Sequence, residues 1–310
     1  MNSSRSRPRS AGRTTRRSTV KAGAVVVGQV ARDLVVRVER LPAPGRATTV
    51  ARRIERLGGK GANHALGLHQ LGLAVALVGV VGTDHAGDDV LHEADTEGLD
   101  VAGVVRRGET ALLIDVTDDD GRRLLEDVPS DALLRPEDVE RTASLFDEAA
   151  VVSLQLQQPT DAVLTAAHLA AEAGARIVLD GATEDDGDEL LALADVVRAD
   201  ATEAAMWTGT TIRERADAAR VTRSLLERGP SLAAVTVPGQ GDLVDWRTGR
   251  VFLPYGDSPV VDPTGGGDAF LAGLVAALTH GAGPEEAGQA AARAAASTVA
   301  RLGGRPELGR

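Results

Sequence analysis

Asp262-Pro263-Thr264-Gly265-Gly266-Gly267-Asp268-Ala269-Phe270 runs directly into an Ala/Leu-rich stretch, Ala269–Thr279, that reads as a helix. Three consecutive glycines let the backbone approach a ligand closely and adopt positive φ where that is needed. A helix opening behind them aims unsatisfied N–H groups and a partial positive charge at the same point. The combination predicts an anion hole suited to the phosphates of a nucleotide. Asp268 stands at its mouth. A carboxylate repels phosphate, so its place there makes sense as a base that takes a proton from an attacking hydroxyl. The plainer alternative is an Asp that caps the helix after a flexible linker.

A second glycine-rich stretch lies far upstream: Leu57-Gly58-Gly59-Lys60-Gly61-Ala62-Asn63-His64-Ala65. The chain has only two lysines, Lys21 and Lys60, and two asparagines, Asn2 and Asn63, and uses Arg almost everywhere else a cation is wanted. Lys60 and Asn63 together in one such loop therefore mark a binding site. Asn offers both a donor and an acceptor, which suits a polyol. An ordinary strand-to-helix turn is the alternative. Gly59-Lys60 has no Ser or Thr after the lysine, so it is not a Walker A loop, and no Gly-x-Gly-x-x-Gly follows a predicted strand.

Between and around these loops, short Val/Leu-rich runs alternate with Ala-rich helical patterns. Ala24–Val27, Ala74–Val80, Ala150–Leu154, Arg176–Asp180, Val196–Arg198 and Ala233–Val237 read as buried strands. His64–Leu71, Asp88–Glu97, Pro136–Glu148, Asp161–Ala173, Thr202–Trp207 and Arg215–Arg228 read as helices, with Ala269–Thr279 and Glu285–Arg301 closing the chain. Such alternation predicts a parallel sheet covered on both faces. Asp33–Val38, Thr48–Ile54, Val101–Arg106, Ala111–Val116 and Arg122–Glu126 instead alternate apolar with polar residues, and Asp118-Asp119-Asp120-Gly121 reads as a hairpin turn. These half-exposed antiparallel strands predict a small separate sheet, a lid inserted at about 33–56 and 101–126.

Composition narrows the function classes. With 310 residues and 43% hydrophobic content the chain can bury a large core, and with 2% aromatics that core is built from Ala, Val and Leu. The absence of cysteine excludes disulfides and thiolate metal sites and fits a cytoplasmic location. The net charge of −11 includes a basic segment, Arg5 to Lys21, so the body is more acidic still and unsuited to nucleic acid. Residues 1–21 are Arg/Ser-rich and expected to be disordered, and residues 22–310 form the folded unit. Thr15-Arg16-Arg17-Ser18 before Ala22–Val27 faintly suggests an export signal, but the apolar run is short and Arg32-Asp33 follows without a cleavage site. No segment approaches the ~18 uninterrupted apolar residues of a membrane span.

Gly58-Gly59-Lys60-Gly61-Ala62-Asn63 resembles the N-terminal signature of the ribokinase-like (PfkB-type) carbohydrate kinases, and Asp262 to Asp268 resembles their C-terminal signature, in the right order. The resemblance covers essentially everything after Ala22. It implies a three-layer α/β/α sandwich with a mostly parallel central sheet and a small β-sheet lid, using ATP and Mg²⁺. It implies Asp268 as catalytic base and Gly265, Gly266 and Gly267 as the anion hole. Asp33, Gly59, Lys60 and Asn63 would bind the sugar. Glu203, in Asp200-Ala201-Thr202-Glu203, would act on Mg²⁺ indirectly, and Asp262 and the Arg301–Gly304 loop stand where such enzymes often hold a monovalent cation, K⁺. Asp200, Thr236, Gly239, Gly241 and Arg293 would surround the nucleotide. A homodimer through the lid is a further expectation.

The sequence departs from the family pattern at several of these places. Gln157 stands where a sugar-binding Glu is usual and Ala31 where Asn is usual. Asp200 replaces Asn, Pro238 replaces Gly at the nucleotide edge, and Arg293 stands near a position that is often Asn. The expected activity is ATP-dependent phosphorylation of a hydroxyl of ribose or a related carbohydrate. A nucleoside kinase of the same fold and a non-catalytic sugar sensor are the alternatives.

Overall fold

Strand β1 (Gly23–Val27) shows in five residues how the molecule is layered. In the computed structural model, which describes residues 23–256 and 260–308, Val25 and Val27 join one hydrophobic cluster while Ala24 and Val26 join another. Alternate side chains of a strand point to opposite faces, so both faces of this sheet are buried. The expected Arg/Ser-rich tail, residues 1–21, lies outside the described residues.

The chain continues through β2 (Ala31–Val38), β3 (Val50–Gly58), α1 (Lys60–Gln70), β4 (Ala74–Val81), α2 (His85–Thr96) and β5 (Asp100–Arg106). Then come β6 (Ala111–Asp118), β7 (Gly121–Asp127), α3 (Pro136–Glu140), α4 (Ala143–Phe146), β8 (Ala149–Gln155), α5 (Thr160–Glu172), β9 (Arg176–Asp180) and α6 (Gly187–Leu193). The remainder is β10 (Val196–Ala199), α7 (Ala201–Thr208), α8 (Arg215–Glu227), β11 (Leu232–Val237), β12 (Gly241–Trp246), β13 (Gly249–Pro254), α9 (Gly266–Thr279) and α10 (Pro284–Val299).

Nine strands form the large sheet in the order β13-β12-β11-β10-β9-β8-β1-β4-β5. Pairing is parallel from β11 to β5, and only the two pairings at one edge, β11–β12 and β12–β13, are antiparallel. One face packs on α1, α9 and α10 through Ala65, Leu66, Phe270, Leu274 and Ala291; the other packs on α5 and α8 through Val163, Ala166, Val221 and Leu225. With few aromatics, helices must approach closely. A Cβ on Gly273 of α9 would fall 2.9 Å from the Ala291 Cα of α10.

Four strands form the lid, in the order β3-β2-β6-β7. Two expectations about it need correction. Val101–Arg106 lies within β5, which pairs parallel with β4 at the edge of the large sheet, so the second inserted segment is 111–127 rather than 101–126. The lid is also mixed rather than antiparallel, because β2 and β6 pair in parallel. Half-burial at a sheet edge and half-burial in a lid give the same alternation, so the pattern of β5 does not distinguish the two sheets. Pro136–Glu148 is not one helix: the Thr142 hydroxyl donates to the Val139 carbonyl at 2.7 Å and the chain turns between α3 and α4. Among the described residues no helix is long and apolar enough to cross a membrane.

Candidate active site

Helix α1 begins at Lys60, earlier than its apolar periodicity suggests, because the glycine loop is itself the turn that starts it. Gly59 sits at φ 86°, and a Cβ there would lie 2.7 Å from the Gln29 carbonyl oxygen. This close backbone approach sets α1 against the end of β1. Lys60 and Asn63 then face a cleft at the C-terminal ends of β8, β9 and β10, where open α/β sheets bind ligands. The cleft has a volume of about 360 Å³.

The other wall is the start of α9. Gly265 is its N-cap at φ 69°, with no side-chain cap, and a Cβ there would lie 1.6 Å from the Gly304 carbonyl oxygen. The Gly266 N–H donates to the Pro263 carbonyl at 3.4 Å, and the Gly267 and Asp268 N–H groups are left for a ligand. Asp268 is not the capping residue that the plainer reading allowed. It lies in the first turn, 6% exposed, with Oδ2 accepting from Asn63 Nδ2 at 2.9 Å and Oδ1 3.5 Å from His64 Nε2. Burial pushes its carboxyl up, but His64 and Lys60 outweigh burial and hold it below the ordinary carboxylate value.

Asp33 extends from β2 over the same space. A Cβ on Gly58 would overlap its carboxyl group, at 1.8 Å from Cγ, so that glycine makes room for it. Its Oδ1 is buried and lacks a hydrogen-bond partner among the described residues. Burial raises its pKa to about 7 against the opposing pull of Arg56 and the Gly59 N–H. A buried acceptor without a donor suits a ligand hydroxyl.

The remaining polar groups form a linked cluster. Glu203 Oε1 accepts from Lys60 Nζ at 3.0 Å, and Oε2 accepts from the Asp200 N–H at 2.7 Å. Asp200 caps α7, accepting from the Thr202 and Glu203 N–H groups at 2.8 Å, so the two acids form a capping box. Both oxygens of Glu203 are engaged, which fits Mg²⁺ held through water better than direct coordination. Burial opposes the Lys60 charge, but Asp180, Glu203 and Asp268 reverse this and raise its pKa. Arg198, at the end of β10, donates to Asp180 Oδ1 at 3.2 Å and lies 4.0 Å from Glu203. A Cβ on Gly267 would meet its guanidinium group at 2.5 Å. Burial opposes its charge as well, and the Asp180 and Glu203 carboxylates outweigh burial.

The structure brings Asp33, Gly59, Lys60, Asn63, Gln157, Asp200, Glu203, Gly265, Gly267 and Asp268 to the cleft lining. Gly266 stands in the same turn, where a Cβ would press on Val299 at 2.8 Å. Thr236, Gly239, Gly241 and Arg293 do not line this cleft. Thr236 donates to Asp242 at 2.8 Å beside the β11–β12 turn that carries Gly239, and Arg293 is exposed on α10. Asp262 is buried and acts as a loop clamp. It accepts from the Thr264 N–H at 2.9 Å and hydroxyl at 2.5 Å, and from the Gly303 N–H at 2.8 Å.

Sequence reading missed four residues here: His64, Asp180, Arg198 and Asp115. Asp180 and Arg198 end parallel strands, which is itself a signal for a ligand site. His64 is four residues from Lys60, hence on the same face of α1. Asp115 of the lid accepts from Arg122 at 2.6 Å and shares the single Thr264 hydroxyl proton, at 3.0 Å, with Asp262, linking the lid to the anion-hole loop.

The model of the pfkB family of carbohydrate kinases matches residues 21–308. A ribokinase of Haemophilus influenzae is 27% identical over 288 residues, covering 91% of this chain and 94% of that one. An ATP-dependent ribose-1-phosphate kinase of Halopiger xanaduensis is 31% identical over 291 residues, covering 90% and 92%. The Arabidopsis thaliana ribokinase structure, complexed with ribose and ATP, superposes with a TM-score of 0.77 at 25% identity, covering 91% and 94%. Sequence, fold and cleft agree: this chain belongs to the pfkB family and is a carbohydrate kinase.

Proposed function

We propose that the protein transfers the γ-phosphoryl group of ATP to a hydroxyl of ribose or a closely related sugar, with Asp268 as general base. The observation that carries this is the Asp268 carboxylate, held ionised in the first turn of an uncapped helix whose N–H groups open onto the same cleft. Asp268 accepts the hydroxyl proton as that oxygen attacks phosphorus and the bond to the ADP oxygen breaks. Gly265, Gly266 and Gly267 bind the phosphoryl oxygens through backbone N–H groups. Asp33, Asn63 and Gln157 orient the sugar, and the lid excludes water. The nucleotide extends past Asp200 toward Thr236, Gly239 and Gly241, with Arg293 beyond. Mg²⁺, when bound, would supply charge neutralisation on the phosphates, and the Glu203 carboxylate would accept hydrogen bonds from its water shell. Potassium at the Asp262 clamp would appear as a K⁺ dependence of kcat that Asp262→Asn removes. The lid's exposed Val50 and Leu125 favour a homodimer through that sheet.

No aromatic side chain lines the cleft among the described residues, which disfavours a nucleoside as acceptor. ADP release measured over pentoses, hexoses, sugar phosphates and nucleosides tests the substrate class; a nucleoside as best substrate overturns it. Asp268→Asn should lower kcat by about 10²–10⁴-fold, the usual worth of a general base, while leaving ATP affinity in place. A kcat within a few-fold of wild type removes Asp268 from the role.

A further inference from the structure

His64 is fully buried in α1, with Nε2 3.4 Å from Asp180 Oδ2 and 3.5 Å from Asp268 Oδ1. The charged groups facing it are Asp180 at the end of β9 and Asp268 in α9; one step further out Arg198 of β10 pairs with Asp180, and Lys60 of its own helix pairs with Glu203 of α7. Asp33 from β2 lies beyond Asp268. Three carboxylates, those of Asp180, Glu203 and Asp268, thus stand against two fixed cations, Lys60 and Arg198. A neutral imidazole would leave this buried cluster with one uncompensated negative charge, and an imidazolium balances it at the smaller cost of an Nδ1–H that has no acceptor among the described residues. Uncompensated buried charge is costly, so the balanced state is favoured. A divalent cation held by His64, Asp180 and Asp268 fits less well. Arg198 and Asn63 already occupy both carboxylates, and two cations sit alongside.

We propose that His64 is a positioning residue for phosphoryl transfer: as an imidazolium it bridges Asp180 to Asp268, keeping Asp268 ionised and turned toward the sugar hydroxyl. Asn63 bonds Asp268 Oδ2 at 2.9 Å, while His64 Nε2 sits between Asp180 Oδ2 and Asp268 Oδ1 and acts on both through its charge rather than through a hydrogen bond. The raised His64 pKa of about 9, where the two carboxylates overcome the opposing effect of burial, agrees with this geometry.

This inference rests on Asp268 being the base, so its test has one arm that does not depend on activity. NMR of the wild-type protein, with His64 assigned by backbone connectivity, should show both ring nitrogens protonated at pH 7.5, within the range that the shift to about 9 implies. A neutral ring at that pH overturns the proposal whatever the substrate is. The second arm is the pH profile of kcat. In His64→Gln the acid limb should move to higher pH by about one unit or more, the size expected on losing an adjacent opposite charge. KM for the sugar should change little. An unmoved limb in a folded variant overturns the bridging role. If instead Asp268→Asn keeps its activity, the reading of the base fails, while the protonation measurement still stands on its own.

Discussion

Asp33 and Gln157 both line the cleft and differ in what they can offer a hydroxyl. An ionised carboxylate accepts from two hydroxyls, and bonds to a charged partner are worth about 1.5–3 kcal/mol. With its pKa raised to about 7 by burial, Asp33 loses that capacity within the neutral range. KM for the sugar should therefore rise as pH falls below about 7, and Asp33→Asn should flatten that dependence; a wild-type KM flat from pH 6 to 8 would place Asp33 away from the sugar. Gln157 presents one acceptor oxygen and an NH₂ group. If ribose is the native substrate, Gln157→Glu should lower KM for ribose by about tenfold for each 1.4 kcal/mol recovered. If the pocket is tuned to another polyol, the variant should lose activity on that compound. No change on either would show that Gln157 does not touch the sugar. Gln155 and Gln158 were equally visible in the sequence, but they bond the Gln29 and Leu134 N–H groups instead. Which of three neighbouring glutamines serves the cleft depends on the strand end, and composition does not reveal it.

The lid and the start of α9 work as one unit through Thr264. Its hydroxyl lies 3.0 Å from Asp115 of β6 and 2.5 Å from Asp262. Thr264→Val keeps the shape of the side chain and removes this link. Hydrogen exchange in β6 and β7 should speed up, and KM for the sugar should rise, since the Asp115 and Asp262 carboxylates would lose the one hydroxyl proton they share, worth about 1.5–3 kcal/mol between them. Unchanged exchange in those strands would show that the lid is held elsewhere. The elements of the large sheet were legible because buried parallel strands read as short Val/Leu runs between Ala-rich helices. The β12–β13 hairpin and α6 escaped notice. Gly241–Trp246 carries Asp242 and Asp245 inside a strand, where Thr236 and Thr222 respectively satisfy them. Polar residues that find tertiary partners disguise a strand in a one-dimensional reading.

At the scale of the whole molecule, the buried cluster around His64 couples folding to pH. The folded state holds the His64 proton more tightly than the unfolded chain, whose histidine titrates near 6.5. Its stabilising contribution is complete below that value and is lost as pH rises through about 9. Asp268, held below its ordinary value, contributes in the opposite sense and loses its effect as pH falls. Melting temperature should therefore decline from neutral pH toward pH 9.5, and the decline should shrink in His64→Gln; equal slopes would separate His64 from stability. The layered architecture, the two glycine-rich loops and the family were legible in the sequence alone, because strand and helix periodicity and close backbone approach are local demands that local residue choice must meet. Tertiary structure alone decided that β5 joins the large sheet, that four groups from β9, β10, α1 and α9 (Asp180, Arg198, His64 and Asp268) share one buried cluster, and that Asp115 fastens the lid. These depend on charges far apart in sequence meeting where water is excluded, and no local pattern encodes which of them will meet.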